Sequence, residues 1–140
     1  MKIALIGHGA MGTLIESMAA ARGHSIVAVV DHAMATKDAD AAARSIAAAE
    51  VVIDFSTSDA VFRNVTACVS AGVPVVIGTT GWNKQADDIE KIVSDGAGAL
   101  IYGANFSIGV NIFYRIADIA AQLGRSKFTA CAACHGADGR

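Results

Sequence analysis

What the chain has little of narrows the field before any motif is considered. Aromatic residues make up only 6% of its 140 residues, and the charges nearly cancel to a formal net of -2. No basic stripe interleaved with aromatics is present, so nucleic acid is not an expected partner. No run of about 18 uncharged apolar residues occurs, so no membrane span is expected. The three cysteines, Cys68, Cys131 and Cys134, are too few and too odd in number for a disulfide framework. The opening stretch MKIALIGHGAMG breaks at glycines after Ile6 and offers no small-residue cleavage site behind an adequate apolar run. It reads as a first strand rather than an export signal, and a reducing, cytoplasmic location is the expectation. Neither a low-complexity linker nor a solenoid repeat interrupts the chain.

What remains is a core-forming sequence. Hydrophobic residues reach 54% and the mean hydropathy is +0.47. The length suits one domain with one sizeable core. Short apolar runs at Lys2–Ile6, Ser25–Val30, Val51–Phe55, Val73–Ile77 and Ala99–Tyr102 read as buried strands. Between them, Met11–Arg22, Ser58–Ala71, Asn83–Ser94 and Val110–Leu123 read as helices, and residues 36–49 as helix or loop. Continuously apolar strands between helices mean a parallel sheet covered on both faces. With right-handed crossovers this predicts an α/β, Rossmann-type doubly wound parallel sheet in a single domain. The composition shifts once, after Gly124, where RSKFTACAACHGADGR shows no clear period. Residues 1–124 are thus expected to form a dinucleotide-binding domain and 125–140 an atypical tail.

The chemistry-bearing motif sits at the first strand's end. Gly7-His8-Gly9-Ala10-Met11-Gly12 is a complete G-x-G-x-x-G that follows a strand and opens a helix. Gly7 would permit the tight turn, Gly9 the close approach of a pyrophosphate, and Gly12 the packing of helix on strand. The helix N-terminus adds free N–H groups and a positive dipole end. Asp31 ends the second strand about 20 residues on, where an acid accepts hydrogen bonds from the adenosine ribose hydroxyls. A carboxylate there repels a 2′-phosphate, and no Arg follows it; His32 offers a partial charge or a stacking face. NADH is therefore expected to bind at least as well as NADPH. Three more small, polar segments lie at strand ends: Asp54–Ala60, Gly78–Trp82 and Gly103–Asn111. Ser56 and Ser58 suit helix N-caps. Thr79 and Thr80 fit a cofactor contact or a turn equally well. Cys68 suits the core, His24 a helix-to-strand turn, and Trp82 packing against the following helix.

The glycine loop, VVIDFS, VPVVIGTTGW and ANFSIGVN, in that order, resemble dihydrodipicolinate reductase (4-hydroxy-tetrahydrodipicolinate reductase) over residues 1 to about 124. The resemblance implies an NAD(P)H-dependent reductase of lysine and diaminopimelate biosynthesis. It implies that Gly7–Gly12 hold the pyrophosphate and Asp31 the ribose. It also implies that Gly78, Thr79, Thr80, Gly103, Ala104, Asn105 and Phe106 surround the nicotinamide half. The family's second domain carries a His-His-x-x-x-Lys-type segment and a Ser-Gly-Thr stretch, and neither occurs in this sequence. No residue here is accordingly assigned as catalytic, and a cyclic dicarboxylate substrate is expected only where a second domain is present. A chain that holds a cofactor without orienting a substrate is expected to bind without turning over. A dinucleotide-binding module without catalysis is the alternative.

The tail contains Cys131-Ala-Ala-Cys134-His135, the spacing of c-type haem attachment, followed by Gly-Ala-Asp-Gly as at the start of a class I cytochrome c. Against a haem stand the absent export signal and the lack of a distal methionine. A zinc site lacks a second ligand pair, and a redox dithiol wants a helix N-terminus. No metal is therefore expected, and a tail without function, or the start of a fused module, remains. Ile112, Phe113, Ile116 and Ile119 are expected to face water without a second domain, which would favour a homo-oligomer.

Overall fold

Inward and outward residues alternate along five short parallel strands, and that alternation separates the sheet's two faces. The computed structural model describes residues 1–31 and 39–135, with the backbone alone at 39 and 128–135. The strands are Lys2–Ile6 (β1), Ser25–Val30 (β2), Val51–Asp54 (β3), Val75–Ile77 (β4) and Leu100–Tyr102 (β5). They pair in the order β2-β1-β3-β4-β5. The helices are Ala10–Ala21 (α1), Ala39–Ile46 (α2), Val61–Ala71 (α3), Ala86–Asp95 (α4) and Ile108–His135 (α5), with a 3-10 turn at Asn83–Gln85. This is the parallel, doubly wound, Rossmann-type α/β sheet that the strand–helix alternation predicts. No helix among the described residues is long and apolar enough to cross a membrane.

Register places Ala4 beside Val52 and Val52 beside Val75, with Ile6, Asp54 and Ile77 aligned two residues on. All six point into the same side and are buried. Helices α2, α3 and α4 cover that side, and Ile46, Val61, Val65, Cys68 and Ile89 complete the core. On the opposite face Ile15, Met18 and Ala19 of α1 line a cleft together with Ile3, Ile53 and Val76 of the sheet. Helix α3 stops where Gly72 adopts a left-handed φ of 68° and its N–H turns back toward the last helical carbonyls. Pro74 and the turn before it shorten the expected fourth strand to Val75–Ile77, because proline cannot donate to the ladder.

Two expectations need correction. Helix α3 starts at Val61, three residues later than Ser58, and its N-cap is Ala60 with no side-chain bond. Neither Ser56 nor Ser58 caps it. Residues 58–60 form a turn, closed by the Ala60 N–H donating to the Thr57 carbonyl at 3.0 Å. The stretch after Gly124, where no period is legible, continues as helix through Cys131 and Cys134 to His135. A single glycine costs a helix only about 1 kcal/mol, and the Ala, Lys and Arg that follow are good helix formers. The chain divides into two compact units, Met1–Ala104 and Asn105–Arg140. Within the second, Ile112, Phe113, Ile116 and Ile119 are 52% to 65% exposed.

Cys68 has the core role expected of it. It is fully buried, and burial pushes its thiol from 9.0 to about 12, with the negative charge of Asp54 adding to the shift. Because the folded thiol holds its proton to higher pH than the unfolded one, its contribution to stability is complete below about 9. It is lost as pH rises toward about 12. Denaturant melts should therefore show a decline in stability above pH 9 that Cys68→Ala abolishes. Peptide mass mapping at pH 8 should find Cys68 alkylated no faster than the domain unfolds.

Candidate functional site

The carboxyl ends of the strands carry the site. Here the backbone ladder runs on past the strands and ties the loops together. The Gly7 N–H donates to the Val30 carbonyl, the Phe55 N–H to Ile6 and the Gly78 N–H to Asp54, each at 2.9 Å. The direction in which strands are added across the sheet reverses between β1 and β3, since β2 lies to one side of β1 and β3 to β5 to the other. Open α/β sheets bind ligands in the crevice at such a switch point.

The glycines in that crevice are required by contact. Gly7 has φ 86°, and a Cβ there would meet the Phe55 carbonyl oxygen at 2.5 Å. A Cβ on Gly12 would meet the Gly7 carbonyl oxygen at 2.3 Å. Gly9 differs: nothing lies within 4 Å of its would-be Cβ, so its backbone faces open space where a ligand can approach. Gly78 makes room for the Phe55 ring, whose Cε1 would lie 2.1 Å from an added Cβ.

Two adjoining clefts result. One, of about 370 Å³, is lined by Gly7, His8 and Gly9, by Val30 and Asp31, and by residues of the β3–α3 loop and the start of α3. The other, of about 360 Å³, is lined by Gly9, Ala10 and Met11, by Phe55, Ser56 and Ser58, and by Gly78, Thr79 and Thr80. Gly9, Phe55 and Ser56 line both. Residues from four segments, singled out separately in the sequence, therefore converge on one edge.

Gly103 and Ala104 follow β5 at that edge but line neither cleft, although the Gly103 N–H extends the ladder to the Ile77 carbonyl at 3.2 Å. Asn105 and Phe106 belong to the second unit, where the Asn105 Oδ1 accepts the Ser107 N–H at 2.7 Å just before α5. His32 and the residues after His135 lie outside the described residues. Cys131, Cys134 and His135 fall on the last turns of α5, and no metal-ligating cluster is found among the described residues.

A group that holds the site together is harder to see in sequence. Asp54, the last residue of β3, is fully buried. Its Oδ1 accepts the Ser56 N–H at 2.8 Å and the Thr79 hydroxyl at 3.1 Å; its Oδ2 accepts the Asn64 amide at 2.9 Å. Asn64 also donates to the Ser56 hydroxyl at 3.0 Å. One carboxylate thus joins the β3–α3 loop, helix α3 and the β4–α4 loop. The signal was the lone acid at an inward position of VVIDF, where only a paired carboxyl can be buried. Thr79 takes the structural role, while Thr80 is exposed in the second cleft. Trp82 packs as expected: it is buried, donates its indole N–H to the Thr79 carbonyl at 2.8 Å, and meets Tyr102 edge-on at 5.0 Å. The His8 Nε2 lies 2.7 Å from the Glu16 Oε2, an exposed pair worth less than about 1 kcal/mol.

The fold and this crevice define an open α/β domain with a glycine loop at its switch point. The family model described as "Dihydrodipicolinate reductase, N-terminus" matches residues 1–106. The chain is 39% identical to the 4-hydroxy-tetrahydrodipicolinate reductase of Christiangramia forsetii, over 83% of this chain and 46% of that protein. It is 35% identical to the enzyme of the same name from Archaeoglobus fulgidus and 30% identical to that of Thiobacillus denitrificans, each over 88% of this chain and 52% of the relative. The chain belongs to the dihydrodipicolinate reductase family, and its match covers the N-terminal domain. It spans about half the length of these curated relatives.

Removing the Asp54 carboxyl takes an acceptor from the Ser56 N–H, the Asn64 amide and the Thr79 hydroxyl, of which Asn64 keeps the Ser56 hydroxyl, at about 1–3 kcal/mol for each donor left buried and unpaired. Asp54→Ala should lower unfolding free energy in urea by at least about 3 kcal/mol, and Asp54→Asn by less, because one oxygen acceptor survives.

Proposed function

We propose that this chain holds NADH or NADPH along the two joined clefts. In this reading it is the cofactor-binding part of a cytoplasmic 4-hydroxy-tetrahydrodipicolinate reductase of lysine and diaminopimelate biosynthesis. The observation that carries this is the shared wall of Gly9, Phe55 and Ser56. It lets one elongated ligand run from Asp31 past the glycine loop to Thr80. The names of the relatives support the same reading.

The residues present fit a dinucleotide. The open space over Gly9 suits a pyrophosphate, to which the loop from Gly7 to Gly12, through His8, Gly9, Ala10 and Met11, offers backbone N–H groups at the start of α1, the Gly7 N–H being held by Val30. Asp31 suits the adenosine ribose hydroxyls. Gly78, Thr79 and Thr80 line the cleft assigned to the nicotinamide half. Gly103, Ala104, Asn105 and Phe106 are assigned to that half on the strength of the family resemblance alone. When bound, the nicotinamide supplies a hydride. The chain's own contribution is to bind and orient the cofactor, and no residue of it is assigned as the proton donor. A cyclic dicarboxylate substrate is expected to require a substrate-binding domain.

Isothermal titration of the 140-residue chain should show NADH bound at least as tightly as NADPH; NADPH binding more than about ten-fold tighter would overturn this assignment. Substrate added to the purified chain should not oxidise NADH, and measurable turnover would contradict the assignment of a binding role alone. The exposed apolar residues of α5 are proposed to drive homo-oligomer formation. Sedimentation velocity should show association in the native chain and its loss in Phe113→Glu with Ile116→Glu. A monomeric native chain would count against it.

A further inference from the structure

The first cleft also contains a cation, Arg63. Arg63 lies in the first turn of α3 and lines the same cleft as Val30, Asp31 and the glycine loop. It is only partly exposed, and its Nε is buried with no hydrogen-bond partner. A guanidinium carries five N–H donors and no acceptor, so a buried N–H of this kind is a cost unless an acceptor arrives. Arg63 makes no ion pair among the described residues. The rest of the cleft wall is apolar at Ile6, Val30, Phe55 and Ala60 and neutral and polar at Ser56, Thr57 and Asn64. An incoming anion is the complement that this geometry lacks.

Which anion follows from what the cleft already supplies. A pyrophosphate has the backbone donors of the glycine loop and the N-terminus of α1. A phosphate on the ribose 2′ oxygen has none of these, and Asp31 repels it. Among the described residues Arg63 is the one lysine or arginine lining that cleft, and its planar fork can grip a phosphate through two parallel hydrogen bonds. We infer that Arg63, on helix α3, is a residue that admits the 2′-phosphate of NADPH. With an acid for a ribose hydroxyl and a cation for a phosphate in one cleft, the site accepts both dinucleotides. This rests on the reading that the cleft holds the adenosine half of a nicotinamide dinucleotide.

The test is calorimetric titration of the full 140-residue chain with NADH and NADPH, and with 5′-ADP and adenosine 2′,5′-bisphosphate as the adenosine-side fragments. The native chain should bind NADPH within about ten-fold of NADH. In Arg63→Met the NADPH-to-NADH affinity ratio should fall at least about ten-fold, with the same fall for the fragment pair. Arg63→Gln, which keeps a polar head group in the cleft, should show the same fall; Arg63→Lys, which keeps the charge, should show a smaller one. Rising salt should weaken NADPH more steeply than NADH in the native chain and equally in Arg63→Met. An unchanged ratio in Arg63→Met or Arg63→Gln, or an equal loss of both dinucleotides, overturns the role given to Arg63 while leaving the site intact. A native chain that binds neither dinucleotide overturns the underlying reading as well.

Discussion

A single buried carboxylate organises the working edge of this domain. Asp54 is out of reach of water, and it is stable there because three donors from separate segments surround it. Hydrogen bonds to a charged group are among the stronger ones, at about 1.5–3 kcal/mol each. They are also directional, so they fix position as well as energy. The Ser56 amide, the Asn64 side chain and the Thr79 hydroxyl can satisfy Asp54 together only if the loops after β3 and β4 and the first turns of α3 hold one arrangement. The walls of both clefts are built on that arrangement, and the charge of Asp54 adds to the effect of burial in holding the proton on the Cys68 thiol.

Features set by local spacing were legible in the sequence. The parallel sheet follows from short apolar runs between helices, and the tight β1–α1 turn from the first glycine, whose φ of 86° no residue with a side chain adopts readily. The inward place of Trp82 and Cys68 follows from helix and turn periodicity. What escaped were relationships across the chain. Asp54 finds its partners 2, 10 and 25 residues away, and no periodic pattern connects them. Arg63 stands on a different element from Asp31, so the absence of an arginine after β2 concealed a cation in the same cleft. Ser58 carries a strong capping signal, yet the chain spends it in a turn before the helix. The segment after Gly124 is helical through composition rather than amphipathic period, and helices of that kind leave little trace in a hydrophobic pattern.

The two compact units have different physical characters. The first buries its apolar residues under three helices on one face of the sheet and a fourth on the other. The second contains a helix of 28 residues on which Ile108, Ile112, Phe113, Ile116, Ile119 and Leu123 are exposed. The relatives are about twice as long as this chain, and the family match ends close to where the second unit begins.

The wall common to both clefts bears on how a ligand is counted. Phe55 and Ser56 face one cleft on one side and the second on the other, and the Phe55 ring is seated against Gly78 without slack. A molecule with a group for each cleft is therefore a bidentate ligand. Once one end is seated, the other meets its cleft at an effective concentration set by the bridge between them rather than by the solution. Either fragment alone forfeits that gain. The rigidity of the shared wall decides how much of it the intact molecule keeps, because a wall that flexed would let the two ends settle independently and dissipate the advantage as motion.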